Sequence, residues 1–276
     1  MNKRLFKTIV YISLTLLAVF TLSPVAFLLI NSFKSQAEIV NSPISLPNTW
    51  NFGYMITASE KINFIGSLGI TFLVTAVSVA LIVLVSSLAG WILVRSKTKA
   101  SGALLYVFTA AMLIPFQAVM YPLLNLFENI GLKNITGLIL MYGGFGLSLS
   151  IFLYHGFVKS VSTSVEEAAV IDGAGIFTLF FRIVFPLLKS TTATVIILNS
   201  MWIWNDYLLP FLVIGNSSAR TLTLELYFAR MTAGQYGNPW ELLFPAVFVS
   251  IIPIVIIFLF LQKYIVRGVS DGAVKA

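Results

Sequence analysis

The sequence predicts an all-α integral membrane protein: a polytopic six-helix bundle with a polar loop between the fourth and fifth helices. Three observations favour this fold class. Of the 276 residues, 58% are hydrophobic and only 10% are charged, whereas about a quarter of the residues in a soluble domain are charged. Six apolar stretches are each long enough to cross about 30 Å of hydrocarbon. The segment 159–190, between the fourth and fifth stretches, carries three of the ten acidic residues.

The six predicted spans belong to a single transmembrane domain that covers residues 1–276. Their approximate bounds are 9–30, 68–94, 103–126, 135–157, 191–214 and 242–266. Each run is continuously apolar, which favours helices, because the strands of a membrane barrel alternate apolar and polar residues. The first run is longer than the apolar core of a signal peptide and lacks an evident cleavage site, so we expect it to remain as the first span.

The orientation follows from the lysines and arginines, which stay preferentially on the cytoplasmic side of a membrane. With the N-terminus inside, twelve of the 17 basic residues fall on cytoplasmic segments. Both termini and the segment 159–190 are therefore predicted to be cytoplasmic, and this topology accounts for the net charge of +7. No nucleic-acid partner is expected, because no basic cluster is dense enough to follow a phosphate backbone.

Prolines interrupt several of the predicted spans, where each removes a backbone donor and kinks or ends a helix. They are Pro115, Pro122, Pro210, Pro245 and Pro253. Such breaks suit a bundle that encloses a pathway, but membrane helices also contain prolines that are purely architectural. In the fourth span, Gly143, Gly144 and Gly146 are predicted to permit close helix packing, and the single histidine, His155, is expected to be a packing or interfacial residue.

The segment 159–190 is predicted to form a helix, a turn and an aromatic helix. Thr163 or Ser164 makes a capping box with the acid three residues later, which predicts a helix start. One face of this helix is predicted to carry Val165, Ala168, Ala169 and Asp172. Gly173 and Gly175 allow the turn, and an apolar stripe at helical spacing follows: Phe177, Phe180, Phe181, Val184 and Leu188. Two interpretations stay open from this pattern: a helix that docks into a groove on a partner, or a solvated connector.

A wider motif covers the same segment. Glu167-Ala168-Ala169, then Gly173, Ile183 and Phe185-Pro186 at fixed spacing resemble the EAA loop of binding-protein-dependent ABC importer permeases. Only the usual leucine before the proline is replaced, by Phe185. The stretches "WNDYLLPFLVI" (204–214) and "QKYIVRGVSDGAVKA" (262–276) extend the resemblance to carbohydrate-uptake permeases related to maltose permease G.

The resemblance implies a transmembrane permease subunit of an ATP-driven importer of sugars, with oligosaccharides expected, in the inner membrane of a bacterial or archaeal cell. The implied partners are a second permease similar to maltose permease F, two ATP-binding subunits and an extracellular or periplasmic sugar-binding protein. The EAA loop would couple this chain to the ATPase. The residues implied to dock on that subunit are Glu166, Glu167, Ala168, Ala169, Asp172 and Gly173.

No catalytic residue, cofactor or metal is expected in this chain. It lacks the G-x-x-x-x-G-K-[ST] loop that cradles phosphates, so it is not expected to be an enzyme, and ATP and magnesium are expected in the partner ATPase. The absence of cysteine excludes disulfides and thiolate metal sites.

The candidates for the substrate path surround Asp206, the only acidic residue within the six predicted spans. An ionisable group in a membrane segment usually faces a bundle interior or water. The candidates are Trp202, Trp204, Asn205, Asp206 and Tyr207. The alternative is structural: Asp206 and Asn205 would cap broken helix ends near Pro210, and the aromatic rings would form an interfacial belt.

The outer loop 221–240 provides the candidates for contact with the sugar-binding protein. By resemblance these are Tyr227, Arg230, Gln235 and Tyr236, although a plain solvent loop is the alternative. Two other functions stay open for the whole chain: a self-contained secondary transporter that uses an ion gradient, and a non-transport assembly scaffold. A secondary carrier usually needs more intramembrane acids or related halves around a midplane site, so the importer subunit is the favoured prediction.

Overall fold

The computed structural model describes residues 3–215, 217–233 and 238–273, and these residues form helices and connecting turns without any strand. A π-helix, Leu179–Val184, lies between the short helices Ile176–Thr178 and Phe185–Leu187. The α-helices of the described residues are α1 (Lys3–Asn31), α2 (Gln36–Asn41), α3 (Gly53–Lys61), α4 (Phe64–Arg95), α5 (Lys99–Ala111), α6 (Phe116–Asn129), α7 (Ile135–Val158), α8 (Thr163–Ile171), α9 (Ile176–Thr178), α10 (Phe185–Leu187), α11 (Lys189–Asn205), α12 (Leu208–Ile214), α13 (Leu222–Ala233) and α14 (Trp240–Ala273). The predicted all-α class is confirmed.

Four helices of the described residues are long and apolar enough to cross a membrane: they are α1, α4, α7 and α14. Two bent pairs reach the same criterion together. The pair α5 and α6 bends by 102°, and the pair 176–187 and α11 bends by 77°. The described part of the chain therefore holds four candidate spans, or up to six if each bent pair forms one span.

The bent pairs show where the predicted spans are interrupted. Pro115 is the N-cap residue of α6, so the predicted span 103–126 is divided between two helices. The predicted span 191–214 is helical only as far as Asn205 and resumes in α12. In contrast, Pro245 and Pro253 lie inside α14, which continues through both of them.

The chain divides into two compact units. The first comprises residues 1–67 and 225–253. Its polar contacts centre on Gln36, whose amide N–H donates to Glu241 Oε2 at 3.0 Å and whose side chain accepts from the Trp240 N–H at 2.7 Å. Lys34 is wholly buried, and its ammonium donates to the carbonyl of Ser42 at 2.8 Å.

The second unit comprises residues 68–224 and 254–276, and α7 lies at its centre, in contact with α5, α11 and α12. Close packing depends on glycines: a Cβ at Gly90 of α4 would lie 2.7 Å from the Cβ of Tyr154. The prediction of close packing in the fourth span is confirmed for Gly143 and Gly146, whereas Gly144 has open space beside it. The Tyr154 hydroxyl donates to Thr192 Oγ1 at 2.9 Å, which connects α7 to α11.

Candidate functional site

The start of α8 differs from the predicted capping box. Ser162 is the N-cap residue, and its hydroxyl accepts a hydrogen bond from the Ser164 N–H at 3.3 Å. The expectation that Thr163 or Ser164 caps the helix is therefore wrong by one or two residues. The physical reason is that Glu166, which would complete the box with Thr163, is bonded to another helix.

Glu166 points into the second unit and is only 8% exposed. Its Oε2 accepts from the indole N–H of Trp91 at 3.0 Å. Its Oε1 accepts from Arg95 Nε at 3.0 Å and from Arg95 Nη2 at 2.7 Å. Arg95 Nη2 also donates to the carbonyl of Val161 at 2.9 Å, in the turn that precedes α8. We call Trp91, Arg95 and Glu166 the α4–α8 clamp.

The remaining candidates for ATPase docking lie on different sides of α8. Ala169 is buried with Glu166, one turn away on the same face. Glu167, Ala168 and Asp172 are exposed. The predicted face of Val165, Ala168, Ala169 and Asp172 is therefore divided, because Ala169 faces the chain. The exposed side also carries Ile171, whose side chain is 85% exposed, so α8 presents both apolar and acidic groups.

Gly173 ends α8 in the left-handed conformation, with φ of +84°. Its N–H donates to the carbonyl of Val170, and the N–H of Ala174 donates to the carbonyl of Ala169. This pair of bonds is the Schellman motif, which a residue without a side chain adopts most easily. No atom outside the neighbouring residues lies within 4 Å of a Cβ built at Gly173, so the backbone conformation, not space, favours glycine.

The aromatic segment after the turn is partly buried. Phe180, Val184 and Leu188 are buried, whereas Phe177 is 77% exposed and Phe181 is 44% exposed. Only part of the predicted apolar stripe, Phe180, Val184 and Leu188, is therefore buried within the chain. Phe180 packs on Trp91 at a ring-centroid distance of 5.3 Å. The same segment is a π-helix that leads directly to Phe185 and Pro186, and Pro186 has no N–H to donate to the preceding turn.

Asp206 lies at the break between α11 and α12, in an extended conformation. Its Oδ1 accepts from the Leu208 N–H at 2.9 Å, and its Oδ2 accepts from the Tyr142 hydroxyl at 2.9 Å. The hydroxyl of Thr223 donates to the backbone carbonyl of Asp206 at 2.7 Å. Asp206 therefore binds the first residue of α12 and connects the helix break to α7, which is a structural role of the kind that the sequence left open.

The other path candidates do not all join Asp206. Trp202 packs edge-on against Tyr142 at a centroid distance of 5.4 Å, and it lines a largely apolar cavity of about 750 Å³ between α5, α6, α7 and α11. Trp204 is buried and lines a different cavity of about 390 Å³. Asn205 donates to its own helix at the Met201 carbonyl. Tyr207 is 45% exposed beside the break.

The candidates for contact with a binding protein lie partly on α13. Tyr227 is half-buried, and Arg230 is exposed. Gln235 and Tyr236 lie outside the described residues. Among the residues that the structure describes, no group of three or more histidines, aspartates and glutamates is arranged to hold a metal ion. His155 is buried in α7, as expected for a packing residue.

Sequence reasoning missed three residues of these sites. From the sequence, Arg95 is only one of the basic residues that predict the topology. Trp91 and Tyr142 are only two of the residues within apolar spans. The available signal was weak: Trp91 and Arg95 are four residues apart at the end of a span, so they share a helix face. Nothing local in the sequence connects that face to Glu166 or connects Tyr142 to Asp206.

Apolar helices long enough to cross a membrane, joined by short polar helices, define this chain as a multispan helical membrane protein. It belongs to the family of binding-protein-dependent transport system inner membrane components, whose sequence pattern matches residues 82–271.

Two related permease proteins are similar in sequence to this chain over nearly its whole length. The chain is 39% identical to the probable starch degradation products transport system permease protein AmyC of Thermoanaerobacterium thermosulfurigenes, over 94% of this chain and 93% of that protein. It is 34% identical to the multiple sugar-binding transport system permease protein MsmG of Streptococcus mutans, over 96% of both chains. These matches give no support to an ion-gradient carrier.

A solved structure shares the fold. A chain from the crystal structure of a bacterial ABC transporter involved in the import of the acidic polysaccharide alginate superposes with a TM-score of 0.82 at 21% identity. The match covers 95% of this chain and 97% of that chain. At this identity the likeness establishes the ABC importer permease fold only.

Proposed function

We propose that this chain is the permease subunit of an ATP-driven sugar importer, that it forms half of the translocation pathway, and that α8 couples it to an ATPase subunit. The observation that carries the coupling role is the two-sided character of α8. Its inner side is fixed to α4 by the α4–α8 clamp, and its outer side exposes Glu167, Ala168 and Ile171. An exposed helix with small and apolar side chains suits insertion into a groove on another protein.

The surface of this chain that docks on the ATPase comprises four exposed residues: Glu167, Ala168, Asp172 and Gly173. Glu166 and Ala169 support it from the inner side. Glu167 and Asp172 would meet basic groups of the partner, and Ala168 would permit a close approach of the two backbones. ATP and magnesium would bind to the partner subunit, which would supply the energy for transport.

The proposed substrate class is sugars, with oligosaccharides expected. Both relatives described above carry names that refer to starch products or multiple sugars. The path would pass Trp202 at the 750 Å³ cavity, where an aromatic face can stack on the apolar side of a sugar ring. Asp206 and Tyr142 would hold the adjacent helix break in shape.

The proposed complex also contains a second permease similar to maltose permease F and an external sugar-binding protein. In the most apolar stretch of α1, none of the residues is buried within this chain, which leaves that surface to lipid and to the second permease. The binding protein would contact the outer loop, including Tyr227 and Arg230 of α13.

We propose that both termini and α8 are cytoplasmic. Because the chain contains no cysteine, single cysteines test this directly. Asn48→Cys and Ser218→Cys should react with a membrane-impermeant thiol reagent in intact cells, and Ser164→Cys should react only after the membrane is opened. Reaction of Ser164→Cys in intact cells would reverse the orientation.

The function is tested by purifying the tagged chain from its native host. An importer subunit should bring down an ATPase and a second permease, and vesicles that contain this chain alone should not accumulate sugar. Ion-driven uptake by the isolated chain would instead establish a secondary transporter. Recovery of the chain without an ATPase, with sugar uptake unaffected by its deletion, would leave the scaffold interpretation.

A further inference from the structure

We propose that the α4–α8 clamp is the element that transmits movement of α8 to the membrane-spanning helices. This inference rests on the proposed function and goes beyond it, because it assigns transmission to three residues that do not face the ATPase. The clamp joins the exposed helix to α4 through one carboxylate, Glu166. The positioning residues are therefore Trp91 and Arg95 on α4 and Glu166 on α8.

α8 contacts the π-helix Leu179–Val184, which follows it in the chain, and its side-chain hydrogen bonds to α4 are made by Glu166. Within α8 only Glu166 and Ala169 are buried. Ala169 contributes a methyl group, whereas Glu166 accepts three hydrogen bonds from α4. Hydrogen bonds to a charged group are stronger and more directional than neutral ones. A force applied to the outer side of α8 therefore reaches α4 chiefly through Glu166.

The clamp also holds the segments on either side of α8. Arg95 donates to the carbonyl of Val161, which precedes α8. The Trp91 ring packs on Phe180, which follows α8 in the π-helix and is 1% exposed. The last turn of α4 thus contacts the segment before the helix, the helix itself and the segment after it. Such an arrangement makes α8 and the end of α4 move as one body.

The end of α4 is in close contact with α7. Gly90, next to Trp91, leaves no room for a Cβ beside Tyr154 of α7. Tyr154 is wholly buried and donates to Thr192 of α11. Further along α11, Leu198 lines the cavity that also contains Trp202. The clamp, the close approach at Gly90 and the Tyr154–Thr192 hydrogen bond therefore connect α8 through α4 and α7 to α11, which lines the cavity.

The chain contains a second ion pair that serves as a control. Lys133 and Glu128 are 3.3 Å apart, but their side chains are 41% and 63% exposed. The Arg95 and Glu166 side chains are 20% and 10% exposed. Exposed pairs contribute little because water and salt screen them. Loss of the exposed pair should leave transmission unchanged, whereas loss of the buried pair should not.

The test uses two single-cysteine variants of this chain, and each variant is assembled separately into the complete importer. Ile171→Cys reports at the outer side of α8 through its cross-linking to the ATPase. Leu198→Cys, at a residue that is 44% exposed, reports at the cavity through its rate of labelling by a small water-soluble thiol reagent. Each reporter is measured without nucleotide and with a non-hydrolysable ATP analogue. Both should respond to the analogue when the clamp is intact.

Three clamp variants are then added to each reporter. Glu166→Gln keeps the size of the side chain but removes its charge, Arg95→Lys keeps the charge but loses the planar fork, and Trp91→Phe keeps the ring on Phe180 but removes the indole donor. We expect the α8 reporter to respond as before, and we expect the cavity reporter to lose its response by about fivefold or more in Glu166→Gln. Trp91→Phe is the mildest change and serves if another variant fails to assemble. Lys133→Ala should change neither reporter.

Each other outcome contradicts the inference in a different way. An unchanged cavity response in all three variants would show that the clamp transmits nothing. Equal loss at both reporters in an assembled complex would show that the clamp only holds the docking helix in place. Failure of the α8 reporter to respond with the clamp intact would overturn the proposed function, and this inference with it.

Discussion

The two joints of the second unit both depend on a carboxylate, but the carboxylates are held by different groups. Glu166 is paired with a cation, Arg95, and with the indole N–H of Trp91. Asp206 accepts from two neutral donors, the Tyr142 hydroxyl and the Leu208 N–H. The first joint connects α8 to α4 through charge, whereas the second connects the break between α11 and α12 to α7 through neutral donors.

The two joints should therefore depend on different properties of their carboxylates. At the α4–α8 clamp, removal of the arginine leaves a buried charge without its counterion, which is costly. At Asp206, each carboxylate oxygen accepts one hydrogen bond. The oxygen of an asparagine can accept from the Leu208 N–H while its NH2 group donates to the Tyr142 hydroxyl, which can also accept. We therefore expect the clamp to depend on charge and the α11–α12 break to depend on hydrogen-bond geometry.

The largest expected effect is that of Arg95→Ala. It should destabilise the chain by about 3 kcal/mol, at the lower end of the range for breaking a buried pair, because both side chains retain some solvent contact. Arg95→Ala/Glu166→Ala should be less destabilised than Arg95→Ala alone, since no unpaired charge remains. Thermal unfolding of the purified chain measures both. Equal losses in the single and double variants would show that the charge of Glu166 is not the cause.

A smaller effect is expected at Ala169, and it separates the two sides of α8. Ala169 is 7% exposed, so Ala169→Leu should overpack the chain itself and cost about 1–3 kcal/mol. Ala168→Leu, on the exposed side, should leave the stability within about 0.5 kcal/mol but weaken retention of the ATPase. Unfolding and co-purification are compared for the two variants. Reversed effects would mean that the burial of the two alanines is exchanged in the assembled protein.

The smallest effects are expected at Asp206. Asp206→Ala removes the acceptor of the Leu208 N–H and of the Tyr142 hydroxyl and should cost about 1 kcal/mol. Asp206→Asn keeps one acceptor oxygen and should be nearly neutral in unfolding and in sugar uptake by the assembled complex. A large fall in uptake of Asp206→Asn, with assembly intact, would show that the negative charge itself serves the pathway.

Much of the fold could be predicted because its signals are local. Long apolar runs predict membrane helices, and Gly173 and Gly175 predict the turn after α8, in which Gly173 takes the positive φ. The breaks were harder to locate. Pro115 begins α6, but Pro245 and Pro253 do not end α14, because a long helix in a bundle tolerates the loss of single backbone hydrogen bonds.

The inner sides of the sites could not be predicted for a different reason. Glu166 and Glu167 are adjacent acids with the same intrinsic preference for a helix start. The positions of Trp91 and Arg95, 75 and 71 residues earlier in the chain, determine that one of them turns inward. Likewise, Asp206 was recognised as unusual, but its partner Tyr142 belongs to another helix, and the sequence carries no mark of that contact.

The central claim is that the outer side of α8 contacts the ATPase while its inner side holds the membrane helices. The most direct measurement compares Ala168→Cys with its neighbour Ala169→Cys in the complete importer, using a short thiol cross-linker and an ATPase that carries single cysteines in its groove. We expect Ala168→Cys to cross-link to the ATPase, with a yield that changes with nucleotide, and Ala169→Cys to remain unlinked. Absence of any cross-link from Ala168→Cys, in a complex that retains its ATPase, would contradict the account.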